Sequence, residues 1–355
     1  MFGRGLSGRV RMSMSTHRPV VDVHAHALPM RLLEDLAAHG LADLSHVDEM
    51  VLHLHPSISG IAQGARIPLP PDQYSVSHRL ASMDAAGIDI QAVSAAPFVF
   101  ASMSTDPALV MDVTRRSNDA LAEFVAAAPE RLVALATVPI GIEGAAEEAA
   151  RCVEELGVAG VTIGTFGGGH ELDDPVNEPV WAFLSERQTF CFVHPSRTSS
   201  PERLREYHLA QLLGYPAETA LAVARLIFGG VLDRHRPVLC LAHGGGCLTG
   251  LAPRLTIGWM RKAETRTVAN PPAYYLRRLH YDTAVFSGEM LERLIEEVGS
   301  ERVLLGTDMP FDLADVDAAS MVGKLSIAEG ARDAILGANA ERLISALAER
   351  ARPAP

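Results

Sequence analysis

Lysine is nearly missing from this 355-residue sequence: Lys262 and Lys324 are the only two, so apart from the histidines its cationic side chains are arginines. Cysteine is also scarce. Cys152, Cys191, Cys240 and Cys247 follow no CxxC spacing, and two of them sit in apolar strand-like runs, which excludes a zinc ribbon or a disulfide framework and leaves reduced, cytosolic thiols as the expectation. No stretch of roughly twenty uncharged apolar residues exists to span a bilayer. Positive charge is in deficit as well. A formal net charge of -12 gives no electrostatic basis for binding nucleic acid or an anionic membrane through the whole surface, so an anionic substrate would need local arginines. Residues 1–18 carry Arg4, Arg9 and Arg11 without the apolar core of a signal sequence. They read as a disordered leader, with Met12 or Met14 as alternative starts, on a soluble cytoplasmic protein.

What is present is a repeating apolar pattern. With 48% hydrophobic residues the chain can bury a large core. Short β-branched runs recur at Val20 to His26, Ile88 to Pro97, Leu132 to Pro139, Val158 to Gly164, Thr189 to Pro195, Val238 to Gly244, Leu279 to Val285 and Val303 to Met309. Between them lie segments of helical spacing: Asp106 to Ala128, Glu143 to Leu156, Val176 to Arg187, Ala217 to Asp233, Ser287 to Val298 and Ile327 to Ala346. Continuous apolar strands alternating with helices imply a parallel sheet with a covered outer face. Eight such units, with no G-x-G-x-x-G after the first strand, predict one closed (β/α)8 TIM barrel over residues 19–350 rather than a doubly wound sheet. Surplus length falls at Leu41 to Ser75, Ser200 to Pro216 and Thr265 to Pro272. The first two follow strands one and five, over the mouth, and are expected to form a small cap or a partner-binding surface.

Chemistry collects at the strand ends. In Val-Asp-Val-His24-Ala-His26 the imidazoles are two apart on a strand, so they share a side and can share a cation. His53-Leu54-His55 has the same spacing inside the first insertion, with no strand signal around it, and reads as a cap element. His194 ends the fifth strand, His243 the sixth and Asp308 the eighth, and in a barrel all these ends converge on one mouth. Three neutral imidazoles (His24, His26, His194) and the Asp308 carboxylate at ~2.0 to 2.2 Å suit Zn²⁺, other divalent metals being alternatives. Such a cation would lower the pKa of a bound water toward ~7, with His243 beside it as acid or base. Neither lysine falls at a strand end. A carbamylated-lysine bridge between two metals and a lysine Schiff base are thereby both disfavoured, leaving a single divalent ion and no organic cofactor.

In ordered agreement over most of residues 20 to 347, the sequence resembles the amidohydrolase superfamily and, within it, the 2-amino-3-carboxymuconate-6-semialdehyde decarboxylase branch. The likeness rests on the Asp-Val-His-Ala-His opening, Met83-Asp84, Gly87-Ile88-Asp89, Leu172-Asp173-Asp174, His194-Pro195, Pro216-Ala217-Glu218-Thr219, His243-Gly244-Gly245-Gly246 and Gly306-Thr307-Asp308-Met309-Pro310-Phe311. It implies the same ligands, with His243 activating the metal-bound water; Asp308 is a candidate catalytic residue as well, its part in turnover open between ligand and acid/base. It further implies two arginines on the substrate's carboxylates. Arg66, after strand one, matches the first, and Arg254, reaching across a homodimer interface, matches the second. After His194-Pro195 this chain departs from the pattern with Ser196-Arg197, which points to a different substrate and offers Arg197 for another anion. Phe311 can pack against a planar substrate. The expected reaction is non-oxidative decarboxylation of an unsaturated or aromatic carboxylic acid, with lactone or amide hydrolysis, or hydration, as the alternative on the same scaffold.

Overall fold

The computed structural model describes residues 18–198, 200–344 and 347. Residues 1–17, most of the expected leader, lie outside the described residues. All eight expected strands are present, and we number them β1 (Val21–Ala27), β2 (Ile90–Ala95), β3 (Leu132–Thr137), β4 (Gly160–Ile163), β5 (Phe190–Val193), β6 (Val238–Leu241), β7 (His280–Asp282) and β8 (Val303–Leu304). They pair in sequence order, all in parallel. A parallel bridge between Ala25 and Met309 closes the ring, reinforced by Val23 N–H to Leu305 O (2.9 Å), His26 N–H to Met309 O (2.8 Å) and Asp308 N–H to His24 O (2.8 Å). The fold is a (β/α)8 TIM barrel.

Burial on both faces explains why the strands read as unbroken apolar runs. Along β5, Cys191 and Val193 join a cluster with Trp181, Leu184 and Val223 of the outer helices, whereas Phe192 turns inward against the His24 ring at a 4.8 Å centroid distance. Helices fill the remaining segments, with two departures from the expected boundaries. The segment from Ala217 to Asp233 breaks into α1 (Tyr215–Phe228) and a short turn, Val231–Arg234. The break falls at Gly229-Gly230, where Gly230 takes φ +72°, a conformation glycine adopts without steric cost. The segment from Ile327 to Ala346 is interrupted by a π-helical turn over Ala334–Ala338, and there the Ile335 carbonyl accepts from Leu305 N–H at 3.0 Å. Widening the helix at that turn frees an acceptor for the barrel, a use to which π-turns are suited.

The first insertion is more ordered than its sequence indicates. Ala42–Asp43, Val51–Leu54 and Ile67–Pro68 form a three-stranded antiparallel sheet, which corrects the reading of His53 and Leu54 as lacking strand structure. Leu52, Leu54, Ile58, Ile67 and Leu69 bury themselves in a cluster with Ala95, Val99 and Phe100 from the C-terminal end of β2 and the turn beyond it, so the sheet caps that side of the mouth. His53 is held by the Ala65 carbonyl (2.9 Å) and His55 caps the short helix Pro56–Ser59. Both imidazoles serve the cap. The second insertion supplies the turns Pro201–Leu204 and Ala210–Gly214. Among the described residues no helix is long and apolar enough to cross a membrane, and all four cysteines are free.

Candidate metal centre

Barrel closure brings the two ends of the chain to one point. His24 and His26 stand on β1, His194 follows β5, and Asp308 follows β8; one ligand atom from each lies within 4.8 Å of all the others, and all four residues are buried. The Nε2 atoms of His24 and His26 each lie 3.1 Å from Asp308 Oδ1. His243, after β6, contributes a fifth group, its Nε2 3.5 Å from Asp308 Oδ2 and its ring 5.1 Å from that of His194. These four ligands form the one such group among the described residues.

Backbone geometry delivers the last two groups. His243 has φ +57° and Asp308 φ +62°, a left-handed conformation costly for residues with a Cβ and sustained only where surrounding bonds enforce it. Asp308 is fixed by its own N–H on the His24 carbonyl. His243 is fixed by its N–H on Asp282 Oδ2 (3.0 Å), with Gly244 N–H on Asp282 Oδ1 (2.7 Å). A methyl at Gly306 would stand 2.8 Å from Asp282 Cβ and 2.9 Å from His24 Cβ, so only glycine lets β1, β7 and β8 close around the ligands.

Second contacts set which nitrogen each imidazole offers. His24 Nδ1 meets Asp282 Oδ2 at 2.6 Å, and His26 Nδ1 meets Ser94 Oγ at 3.0 Å and the Ala95 carbonyl at 3.3 Å. With Nδ1–H donated outward, each Nε2 lone pair turns inward, the arrangement of metal-binding histidines. Buried, and without a well-formed hydrogen bond in the protein, are His24 Nε2, His26 Nε2, both nitrogens of His194 and Asp308 Oδ1, the first two facing only Asp308 Oδ1 at 3.1 Å. Unpaired buried polar atoms are costly, and acceptors converging on one point repel one another unless a cation lies between them. The residues present therefore fit a divalent metal.

Charge follows burial. Desolvation pushes the His26 and His194 imidazoles down toward the neutral, ligating form. Burial opposes a charge on His24 too, but the carboxylates of Asp308 at Nε2 and Asp282 at Nδ1 outweigh it and hold that imidazole up at about 10, and a cation at the same point would displace the Nε2 proton. Asp308, despite its own burial, is held well below the usual carboxylate range by His24, His243 and His26. Beneath the ligands, Asp22 accepts from Thr307 Oγ1 (2.6 Å), Gln91 Nε2 (2.8 Å) and His24 N–H (2.9 Å), and the buried Arg79 donates to Gln91 Oε1 and to the His26 carbonyl.

The four remaining residues singled out in the sequence fall in different places. Arg197 is half-buried: its Nε donates to the Ser59 carbonyl at 2.6 Å and its Nη2 is buried without a partner. Phe311 lies over the His26 ring (5.0 Å, 30° between planes) and meets Phe98 edge-on. Arg66 is exposed in the cap and pairs with Glu49 at 3.3 Å. Arg254 is exposed on α2 (Leu248–Arg261). Sequence reasoning passed over Asp282, Ser94 and Arg79. For Asp282 a signal was available, an acid at the end of the seventh apolar run.

Known proteins match this frame. The amidohydrolase family model covers residues 21–345. The chain is 30% identical over 329 residues, 90% of each chain, to the 2-amino-3-carboxymuconate-6-semialdehyde decarboxylase of Dictyostelium discoideum. It is 32% identical over 289 residues, 75% of this chain and 85% of the relative, to a gamma-resorcylate decarboxylase of a Rhizobium species. Among solved structures, the 5-carboxyvanillate decarboxylase of Sphingomonas paucimobilis superposes with a TM-score of 0.75 at 24% identity, covering 93% of this chain and 99% of its own, a likeness of fold. With the metal ligands at its strand ends and the family model spanning nearly the whole barrel, this chain belongs to the amidohydrolase family.

Proposed function

We propose that the protein is a metal-dependent, non-oxidative decarboxylase of a planar unsaturated or aromatic carboxylic acid. The observation that carries this reading is the convergence of four ligand residues and His243 on one mouth, in a chain whose relatives are named decarboxylases. When bound, the cation supplies Lewis-acid polarisation of the substrate's oxygens. His24, His26, His194 and Asp308 hold it; three nitrogens and one oxygen favour Zn²⁺. Arg197 fixes a substrate carboxylate, since its buried Nη2 lacks an acceptor and a guanidinium binds such a group through paired charge-assisted bonds. Phe311, already over the His26 ring, gives a flat substrate a surface to lie on. The bond between the carboxylate carbon and the ring or diene carbon breaks, CO2 departs, and the electron pair left on carbon takes a proton from His243, with Asp308 beside it to stabilise the charged imidazole.

Arg254 supports a homodimer in this reading. Leu251, Arg254, Ile257 and Met260, three residues apart and all exposed, form one ridge across the outer side of α2. Leu212, Leu213 and Leu221 are exposed on the preceding turn and on α1, which packs against α2. An apolar ridge holding an arginine suits a second copy that receives Arg254 at its mouth. Arg66 serves as a further carboxylate contact if the cap loop turns inward and leaves Glu49. Free thiols throughout agree with a reducing cytoplasm.

Metal-replete protein incubated with γ-resorcylate, 5-carboxyvanillate and 2-amino-3-carboxymuconate 6-semialdehyde should release CO2 from at least one, without consuming oxygen. His243→Asn should lower kcat ~10²- to 10⁴-fold while retaining one metal per chain. Lactone or amide hydrolysis with no CO2 from any acid would replace the proposal.

A further inference from the structure

The opposite face of the barrel holds a second concentration of charge. Where β6, β7 and β8 begin, a cavity of about 440 Å³ opens, lined by Arg236, Arg278, Arg302 and Arg342 over apolar walls that include Leu232 and Leu279. Its size is that of a small-molecule site. Elsewhere this acidic chain pairs its arginines with carboxylates, as Arg151 with Asp119 and Glu148, Arg225 with Asp173 and Arg234 with Glu178. Among the described residues, none of the four lining arginines has a carboxylate within 4.0 Å. Glu301, the acid in the lining, folds its carboxylate back against Gly299.

Neutral groups, not acids, hold the guanidiniums in place. Arg278 donates to the Leu232 carbonyl (3.4 Å) and lies over the Tyr274 ring, and Arg342 donates to the Glu301 carbonyl (2.9 Å). Arg302 Nη1 lies 3.3 Å from His280 Nε2. The buried His280 uses Nδ1–H on the Leu239 carbonyl (3.3 Å), so its Nε2 is the acceptor. Burial and then Arg302 push that imidazole down to about 4, so it orients the arginine without sharing its charge. Arg302 Nε is buried and meets no acceptor in the protein. Four like charges gathered round one cavity repel each other, and each keeps N–H groups for an anion to accept.

We propose that this cavity is a binding site for a small polyanion, a phosphate or tricarboxylate carrying at least two negative charges, on the face of the barrel opposite the metal centre. Paired N–H groups of arginine match both oxyanions equally well. Isothermal titration of the metal-loaded protein at constant ionic strength, with inorganic phosphate in one arm and tricarballylate in the other, distinguishes the two chemistries. At least one should bind saturably with a Kd below ~1 mM. Arg236→Gln combined with Arg342→Gln, both exposed and therefore harmless to folding, should weaken that binding by at least ~10-fold. Arg302→Gln should do the same, with its melting temperature checked beside it. Absence of saturation by ~10 mM in both arms overturns the proposal. So does binding that survives in the double variant, or that competes with an acid substrate, since it then belongs to the metal mouth.

Discussion

Asp282 uses both carboxylate oxygens at the centre of the site: Oδ2 takes His24 Nδ1 and His243 N–H, and Oδ1 takes Gly244 N–H. It thereby orients one ligand and fixes the strained turn that carries the proposed acid. Asp282→Asn removes the charge yet keeps the shape. Loss of a partner behind a ligating histidine costs ~10- to 100-fold in metal affinity, and competition with a coloured chelator should read a decrease of that size with an unchanged far-ultraviolet circular dichroism spectrum. Unchanged affinity would reduce Asp282 to a backbone clamp. The ligands and His243 could be seen in the sequence because each interrupts or ends an apolar run. Of their supports, Asp282 could have been noticed as an acid at the end of the seventh apolar run, but its pairing with His24 and the part played by Arg79 could not. Asp282 and His24 are 258 positions apart, Arg79 acts through a main-chain carbonyl, and no periodicity encodes either contact.

At the level of elements, the eight strands were legible because burial on both faces demands unbroken β-branched runs. The cap strands of two to four residues were not, since alternation over so few positions carries no signal, and tertiary burial of Leu52, Leu54 and Ile67 decides their state. The π-helical interruption was also hidden, because the Ile335 carbonyl leaves its helix only once Leu305, just past β8, is there to donate to it; the break at Gly229-Gly230 was readable from the glycine pair. The α2 ridge yields a sharp expectation. If Arg254 completes the neighbour's site, Arg254→Ala and His243→Asn are each inactive alone, but a mixture allowed to exchange subunits regains about a quarter of wild-type activity, because a symmetric hybrid dimer carries one intact mouth. No recovery after verified exchange would confine Arg254 to its own subunit or to solvent.

For the molecule as a whole, the ligand cluster is a weakness until a cation fills it. Anything that binds the native state alone adds stability by mass action. Dialysis against a strong chelator should therefore abolish turnover and lower the melting temperature together, and one equivalent of Zn²⁺ should restore both. Full activity in protein shown by elemental analysis to be free of metal would refute the centre. The acidic surface and the sparse lysines were readable from composition alone; the unpaired arginines at the barrel's base were not, for they come from four separate segments.

Closure of the ring between Ala25 and Met309 has a consequence for biosynthesis. A nascent chain carries His24 and His26 long before Asp308, which lies 284 positions after His24 (308 − 24). The full ligand set therefore exists only once β8 and the residues just after it have been made, and a chain that stops short of them lacks one of the four ligands.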